Sequence, residues 1–228
     1  MGGGANPQPG EISLAHNGIL FLDELPEFSR NAIESLRQPM EEKQIVVSRA
    51  KYTARYPANF MLIASMNPCP CGYYTHPTRE CVCSPGSVIK YLNHISGPML
   101  DRIDLHVEVT PGPFADLTQD RPEEDSATIR KRVVAARKIQ QARFDGTPIH
   151  SNAMMGSSQL REFCPLDAES ARLLETAMER LNLSARAYDR IIKVARTIAD
   201  LDRNDAIRPN HIAEAIRYRS LDRASWGA

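Results

Sequence analysis

The sequence predicts an α/β unit over residues 1–115 followed by an all-helical unit over residues 122–228. Three observations lead there. Gly18-Ile19-Leu20-Phe21-Leu22-Asp23-Glu24 and Phe60-Met61-Leu62-Ile63-Ala64-Ser65 are apolar runs too short for helices, each ending in polar residues, and both read as strands. The first, bounded by a glycine, reads as a strand buried on both faces. Pro111-Gly112-Pro113 and the Asp- and Pro-rich stretch to Pro122 then interrupt the chain as a linker. Beyond Pro122 the apolar residues recur at helical spacing only.

Taken in order, residues 1–17 read as a loop and a short helix from Glu11 to His16. Glu27 to Met40 reads as a helix, with Phe28, Ala32, Ile33, Leu36 and Met40 at near-helical spacing and Pro39 near its end. Gln44 to Ser48 and Tyr52 to Tyr56 read as a hairpin. Residues 68–86 are rich in Pro and Cys and form an irregular insertion. Val88 to Ile95 reads as a helix and Leu105 to Val109 as a short strand. In the second unit Ile129, Val133, Ala136 and Ile139 mark one helical stripe. Leu173, Leu174, Ala177 and Leu181 mark another, with Asp167 as its cap. Ala187, Ile191, Val194, Ala195 and Ile198 follow Ser184, and Pro209 opens a last helix carrying Ile212, Ala215 and Ile216.

Composition narrows the function classes. Lys plus Arg and Asp plus Glu number 28 each in 228 residues, so no global field draws the chain to nucleic acid and any such contact is local. No apolar run approaches the roughly 18 residues of a membrane span, and no signal peptide opens the chain. Five cysteines, four of them clustered, fit a reducing compartment, so a cytoplasmic location is expected.

The chemistry gathers at strand ends. Carboxylates at the carboxyl end of a buried strand sit where open α/β sheets bind ligands. Asp23-Glu24 after an apolar run has the form of a Walker B element. Asp23 would hold Mg2+ through a water, and Glu24 would polarise the water that attacks the γ-phosphate of ATP. The competing reading is a core strand followed by an acidic helix start, since Glu24, Glu27 and Ser29 suit one. Met66-Asn67-Pro68 ends the second run, where the Asn67 amide suits a polar sensor beside Walker B. Leu100-Asp101-Arg102-Ile103-Asp104 then presents an Arg after a short apolar turn.

These residues together resemble the magnesium-chelatase-like AAA+ ATPases, in the ComM/YifB branch. The resemblance rests on Pro9-Gly10-Glu11-Ile12-Ser13-Leu14-Ala15-His16-Asn17-Gly18 running into Asp23-Glu24, Leu25-Pro26-Glu27-Phe28 after it, Asn67-Pro68-Cys69-Pro70-Cys71-Gly72, and Leu100 to Asp104. Ser184 to Arg190, Arg196 to Leu201, and Ile207-Arg208-Pro209 with His211-Ile212 and Glu214-Ala215-Ile216 extend it over nearly the whole chain. It implies a partial AAA+ P-loop NTPase core, Walker B onward, followed by an all-α lid. No Gly-x-x-x-x-Gly-Lys-Ser/Thr occurs, and in the family the phosphate loop lies upstream. The chain therefore reads as the C-terminal part of such an ATPase, inactive alone.

Several residues carry two readings. Arg102 resembles the family's arginine finger, acting in a neighbour's nucleotide site and so implying a ring, a hexamer by the resemblance; it could instead pair with Asp101 and Asp104. Arg186, in the first turn after Ser184, opposes the helix dipole and matches the lid's sensor arginine, which contacts the γ-phosphate. Arg190 reads as an ion-pair partner of Asp189 or Glu179. Cys69, Cys71, Cys81 and Cys83 suit a structural Zn2+, although Cys-x-Cys is tighter than the usual spacing, or they are reduced or redox-sensitive thiols. Cys164 reads as a core residue and His211 as structural. Arg49, Lys51 and Arg55, interleaved with Tyr52 and Tyr56, either grip a nucleic-acid backbone in a ring channel or protect a solvated edge.

Three functions compete. The resemblance implies a ring-forming, ATP- and Mg2+-dependent DNA motor for branch migration in DNA uptake and recombination. A chelatase-type ATPase that remodels a protein is the second, and a non-catalytic assembly module lacking the phosphate loop is the third.

Overall fold

A computed structural model of the chain describes residues 8–49, 52–109 and 124–219. They divide into two compact units, one running to Ile103 and the other beginning at Asp104. The linker expected at 111–122 lies outside the described residues.

The first unit runs α1 (Glu11–Leu14), β1 (Ile19–Leu22), a 3-10 turn (Leu25–Glu27), α2 (Arg30–Ser35), α3 (Arg37–Glu42), β2 (Gln44–Arg49), β3 (Tyr52–Pro57), β4 (Met61–Ala64), α4 (Pro85–Leu92) and α5 (Gly97–Leu100). β1 and β4 pair in parallel, and β2 and β3 form the expected antiparallel hairpin. The single helix expected over Glu27 to Met40 is instead two. Ser29 caps α2 by accepting from the Ala32 N–H, and the helix breaks at Leu36. Pro39 accounts for the break, because it lacks the N–H that would bond the Ser35 carbonyl and its ring crowds that same group.

β1 is not buried on both faces. Ile19 and Phe21 are each 59% exposed, and their register partners Met61 and Ile63 are exposed beside them. The strand has one neighbour, and among the described residues nothing covers that side. The opposite face, with Leu20, Leu22 and Leu62, is half-buried. Leu25, Ile33, Leu36, Ile45 and Met99 are among the buried apolar residues of this unit.

The segment between β4 and α4 holds no regular element, as the prolines and cysteines imply. α4 begins three residues before the expected Val88, since Ser84 accepts from the Ser87 N–H and Pro85 occupies the first turn. The strand expected over Leu105 to Val109 does not form. Its alternating apolar residues find no ladder, and Val107 and Val109 stay exposed; the His106 N–H donates to the Tyr218 carbonyl at 2.7 Å.

The second unit consists of α6 (Ser126–Arg143), α7 (Ser157–Phe163), α8 (Ala168–Arg180), α9 (Ala185–Leu201) and α10 (Pro209–Arg217), with a 3-10 turn at Asn152–Met154. Asp125, Asp167 and Ser184 each accept from the backbone N–H three residues on. These are N-caps, those at Asp167 and Ser184 where the sequence predicts them. Ile191, Ile192, Ala195 and Ile198 of α9 form the centre of the core, against Leu160, Leu174, Ile212 and Ala215. The α6 stripe is buried only in its second half: Ala136 is covered, while Ile129 and Val133 are exposed. Cys164 lies in this core, where burial pushes its thiol up to about 11.

A polar knot sits inside the same core. Asp200 accepts from both terminal nitrogens of Arg143 at 2.7 and 2.5 Å, from Asn152 Nδ2 at 2.8 Å and from Arg196 Nε at 3.1 Å. Arg196 also donates to the carbonyls of Asn204 and Asp205. Burial pulls its pKa down from the ordinary value while Asp200 opposes the shift. Among the described residues no helix is long and apolar enough to cross a membrane.

Candidate functional site

The parallel register sets Leu22 beside Ala64, so the carboxyl ends of β1 and β4 lie next to each other. Four hydrogen bonds then lock the two exits together. The Ser65 N–H donates to the Leu22 carbonyl at 3.0 Å, and the Leu25 N–H donates to the Ser65 carbonyl at 2.9 Å. Asp23 Oδ1 accepts from the Ser65 hydroxyl and from the Glu24 N–H at 3.1 Å. The Glu24 N–H is shared with Ser65 Oγ at 3.2 Å.

Glu24 adopts φ 51° and ψ 52°. A non-glycine residue in the left-handed region costs about 1–3 kcal/mol and persists where its surroundings over-determine it. Here the constraint is visible, because Leu25 and Pro26 plug into the core immediately after it. Both carboxylates remain exposed. The corner is thus a held, strained turn presenting two acids to solvent.

Asn67 is exposed two residues past Ser65. Its backbone hydrogen-bonds the Tyr91 hydroxyl of α4, and burial, with the charges of Glu27 and Glu24, pushes the Tyr91 pKa up. Ser65 and Tyr91 are the two residues of this corner for which sequence reasoning finds no role. Ser65 had a signal, since it ends a strand parallel to one ending in Asp23. Tyr91 had none, because nothing in the spacing of α4 says which strand end it meets.

Arg102 follows α5, whose N-cap Ser96 also donates to Glu34 at 2.5 Å and, with Arg37, holds the Glu34 carboxyl below its ordinary value. The Arg102 side chain is only 6% exposed. It pairs with Glu41 at 2.5 Å and donates to the Pro98 carbonyl at 2.5 Å. Asp104 pairs with Arg190, in place of the Asp189 or Glu179 expected for that arginine. Arg186 is exposed in the first turn of α9, after the Ser184 cap.

On the hairpin, Arg55 is exposed opposite Val46, and Arg49 pairs in register with Tyr52 at the turn. Lys51 lies outside the described residues. Tyr56 is opposite the buried Ile45 and is itself half-buried, so it belongs to the packed side rather than to a free stacking platform. His211 is structural: Nδ1 accepts from the Arg208 N–H at 3.0 Å and Nε2 faces Asp202 at 3.2 Å.

The four clustered cysteines converge. The sulfurs of Cys69, Cys71, Cys81 and Cys83 all lie within 4.8 Å of one another. Cys69 is fully buried and packs with Val88 and Leu92 of α4. The Tyr73 backbone N–H and the neighbouring thiols bring Cys71 down to about 6 against the effect of burial, and burial with the bond to Cys71 pushes Cys83 up.

Two family models divide the chain between them. Residues 1–117 match the family described as magnesium chelatase, subunit ChlI, and residues 123–219 match magnesium chelatase, subunit ChlI C-terminal. The chain belongs to this magnesium-chelatase-like family, on its ComM/YifB side. It is 48% identical over 224 residues to uncharacterized protein YifB of Escherichia coli K12, and 47% identical over 225 residues to competence protein ComM of Haemophilus influenzae. Each match takes in 98% of this chain and 43% of the relative, so the chain spans less than half the length of these curated relatives. A more distant match, 23% identical over 230 residues, is DNA replication licensing factor mcm6 of Dictyostelium discoideum, of which it covers 24%.

Proposed function

We propose that this chain supplies the Walker B-to-lid part of a ring-forming AAA+ ATPase that works on DNA. The observation that carries the reading is the Asp23–Glu24–Ser65 corner, where a strained residue is fixed at the carboxyl end of a parallel strand pair. Strain of that kind clusters at active sites, where it pre-sets a side chain.

The donor set fits a hydrated Mg2+. Asp23 offers an exposed carboxylate whose orientation is fixed by Ser65 and the Glu24 amide, as an oxygen ligand to a hard cation requires. Bound there with ATP, the ion would neutralise charge on the β- and γ-phosphates. Glu24 would accept a proton from the attacking water, and the Asn67 amide would orient that water. Arg186 would contact the γ-phosphate from the lid. The phosphate cradle itself would come from a longer protein carrying the loop ahead of this chain. The exposed row of Ile19, Phe21, Met61 and Ile63 supports this, since an apolar sheet face of this kind needs cover and further elements of the same core would provide it.

Arg102 would act in the neighbouring subunit's site, and such a residue requires a closed ring, of which a hexamer is the expected form. To do so it would have to leave Glu41. DNA as the partner is supported by relatives named a competence protein and a DNA replication licensing factor. Arg49, Lys51 and Arg55 would touch its phosphates in the ring channel. A cytoplasmic setting accords with this role. The family's name also admits a chelatase-type ATPase that remodels a protein. Steady-state ATP hydrolysis by the longer protein, with and without single-stranded and branched DNA, separates the two. Stimulation by DNA supports the motor, and turnover indifferent to DNA at low salt would exclude it.

A further inference from the structure

We propose that Cys69, Cys71, Cys81 and Cys83 bind one Zn2+ as a closed tetrathiolate site that fixes the chain directly after Asn67. The inference is independent of the ATPase reading. It starts from distances: Cys69 Sγ lies 3.3 Å from Cys71 Sγ and 3.6 Å from Cys81 Sγ, and Cys71 Sγ lies 3.6 Å from Cys81 Sγ. A tetrahedral ion with zinc–sulfur bonds of about 2.3 Å sets its sulfurs about 3.8 Å apart. A disulfide would bring two of them to about 2.05 Å, and all five cysteines of the chain are free. Four sulfurs gathered within 4.8 Å of one another without any bonded pair, three of them at nearly the edge length of a metal tetrahedron, mark out a cation's place.

The backbone is arranged for thiolates. The Tyr74 N–H donates to Cys69 Sγ at 3.3 Å, the Tyr73 and Val82 amides reach Cys71, and the Cys83 and Cys71 amides reach Cys81 and Cys83. N–H groups aimed at sulfur disperse the charge that remains when each thiol releases its proton to the solvent and coordinates. Gly72, at φ 81°, permits the tight return that lets Cys-x-Cys place both sulfurs on one ion, and the Gly72 N–H closes that turn on the Cys69 carbonyl at 3.0 Å. With four protein ligands no position is open to substrate, so the site is structural.

Its task follows from its place. Residues 66–84 contain no helix or strand, and the apolar cluster here has only Cys69, Val88 and Leu92 fully covered. So small a core is a weak source of order, and a metal supplies what it lacks. Since Cys69 is two residues past Asn67, the staple also fixes the strand exit on which Tyr91 hydrogen-bonds the Asn67 backbone.

The test uses this chain expressed without a metal-affinity tag. Elemental analysis should give about one zinc per chain, falling to near zero in Cys81→Ser and in Cys83→Ser. Refolding with Co2+ should give the intense sulfur-to-metal charge-transfer absorption of a tetrathiolate. If the variants do not fold, the wild-type protein still decides the matter: withdrawing metal with a mercurial should accelerate hydrogen exchange over residues 66–84 and leave α8 and α9 unchanged. The proposal is overturned by folded, metal-free protein whose four thiols react at the rate of an unhindered thiol, or by iron in place of zinc.

Discussion

Replacing Asp200 with Ala should destabilise the helical unit by about 3 kcal/mol. Its carboxylate is wholly buried and takes N–H donors from Arg143, Asn152 and Arg196. The variant leaves two cations facing each other in the core. Breaking a buried pair by removing one partner costs about 3–5 kcal/mol. The lower end applies here, because Arg196 keeps its bonds to the Asn204 and Asp205 carbonyls and Arg143 keeps Asn152 Oδ1 at 2.8 Å. Arg143 is also 13% exposed and regains some water. Native-state hydrogen exchange is the suitable assay, since melting of a two-unit chain mixes transitions. The slowest amides of α9 should exchange about a hundredfold faster. Asp200→Asn, which keeps the shape and loses the charge, should cost nearly as much. Converting the three charged residues together, as Arg143→Met, Asp200→Leu and Arg196→Met, should recover most of the loss. A change of less than about threefold in Asp200→Ala would refute the claim that this knot holds α6 to α9.

Two further outcomes test the site residues. Arg102→Ala separates a trans finger from a structural ion pair: the structural role predicts a loss of about 2 kcal/mol in this chain, whereas the finger predicts lost turnover that mixed rings with finger-donating subunits restore. Global stability of the chain and subunit-mixing kinetics of the longer protein read the two effects apart. Replacing Arg49, Lys51 and Arg55 together with Ala should weaken DNA binding across sequences and flatten its log–log salt slope by about three units. An unchanged slope would leave the hairpin a solvated edge.

The helical unit was the more legible half. Its caps at Asp167 and Ser184 and the stripe of α9 follow from local rules, and the structure forms them where side-chain chemistry demands. What escaped were effects of partners distant in sequence. Nothing in the spacing of Asp200, Arg143 and Arg196 announces their contact, because periodicity marks apolar faces and is silent on a polar knot. Helical periodicity runs unbroken from Glu27 to Met40, and the break at Leu36 comes from Pro39 acting four residues back on Ser35. β1 is exposed on one face against expectation, since four apolar residues announce a strand without saying what lies over each face. That Asp23, Glu24 and Asn67 follow strand ends is legible from the apolar runs before them; the strained φ of Glu24 and its contact with Ser65 depend on pairing with a strand forty-one residues on. The partner of Arg102 was missed because Glu41 lies sixty-one positions earlier in the chain.

The proposed function stands or falls with ATP hydrolysis at the corner of Asp23 and Glu24. The most direct measurement is a paired one on Glu24→Gln in the longer protein: equilibrium binding of ATP–Mg2+ and single-turnover hydrolysis. The substitution removes the charge that accepts a proton from water and leaves the Asp23–Ser65 contact in place. Binding should stay within about twofold of wild type while hydrolysis falls by at least about a hundredfold. Hydrolysis at the wild-type rate by a folded Glu24→Gln ring would contradict the account.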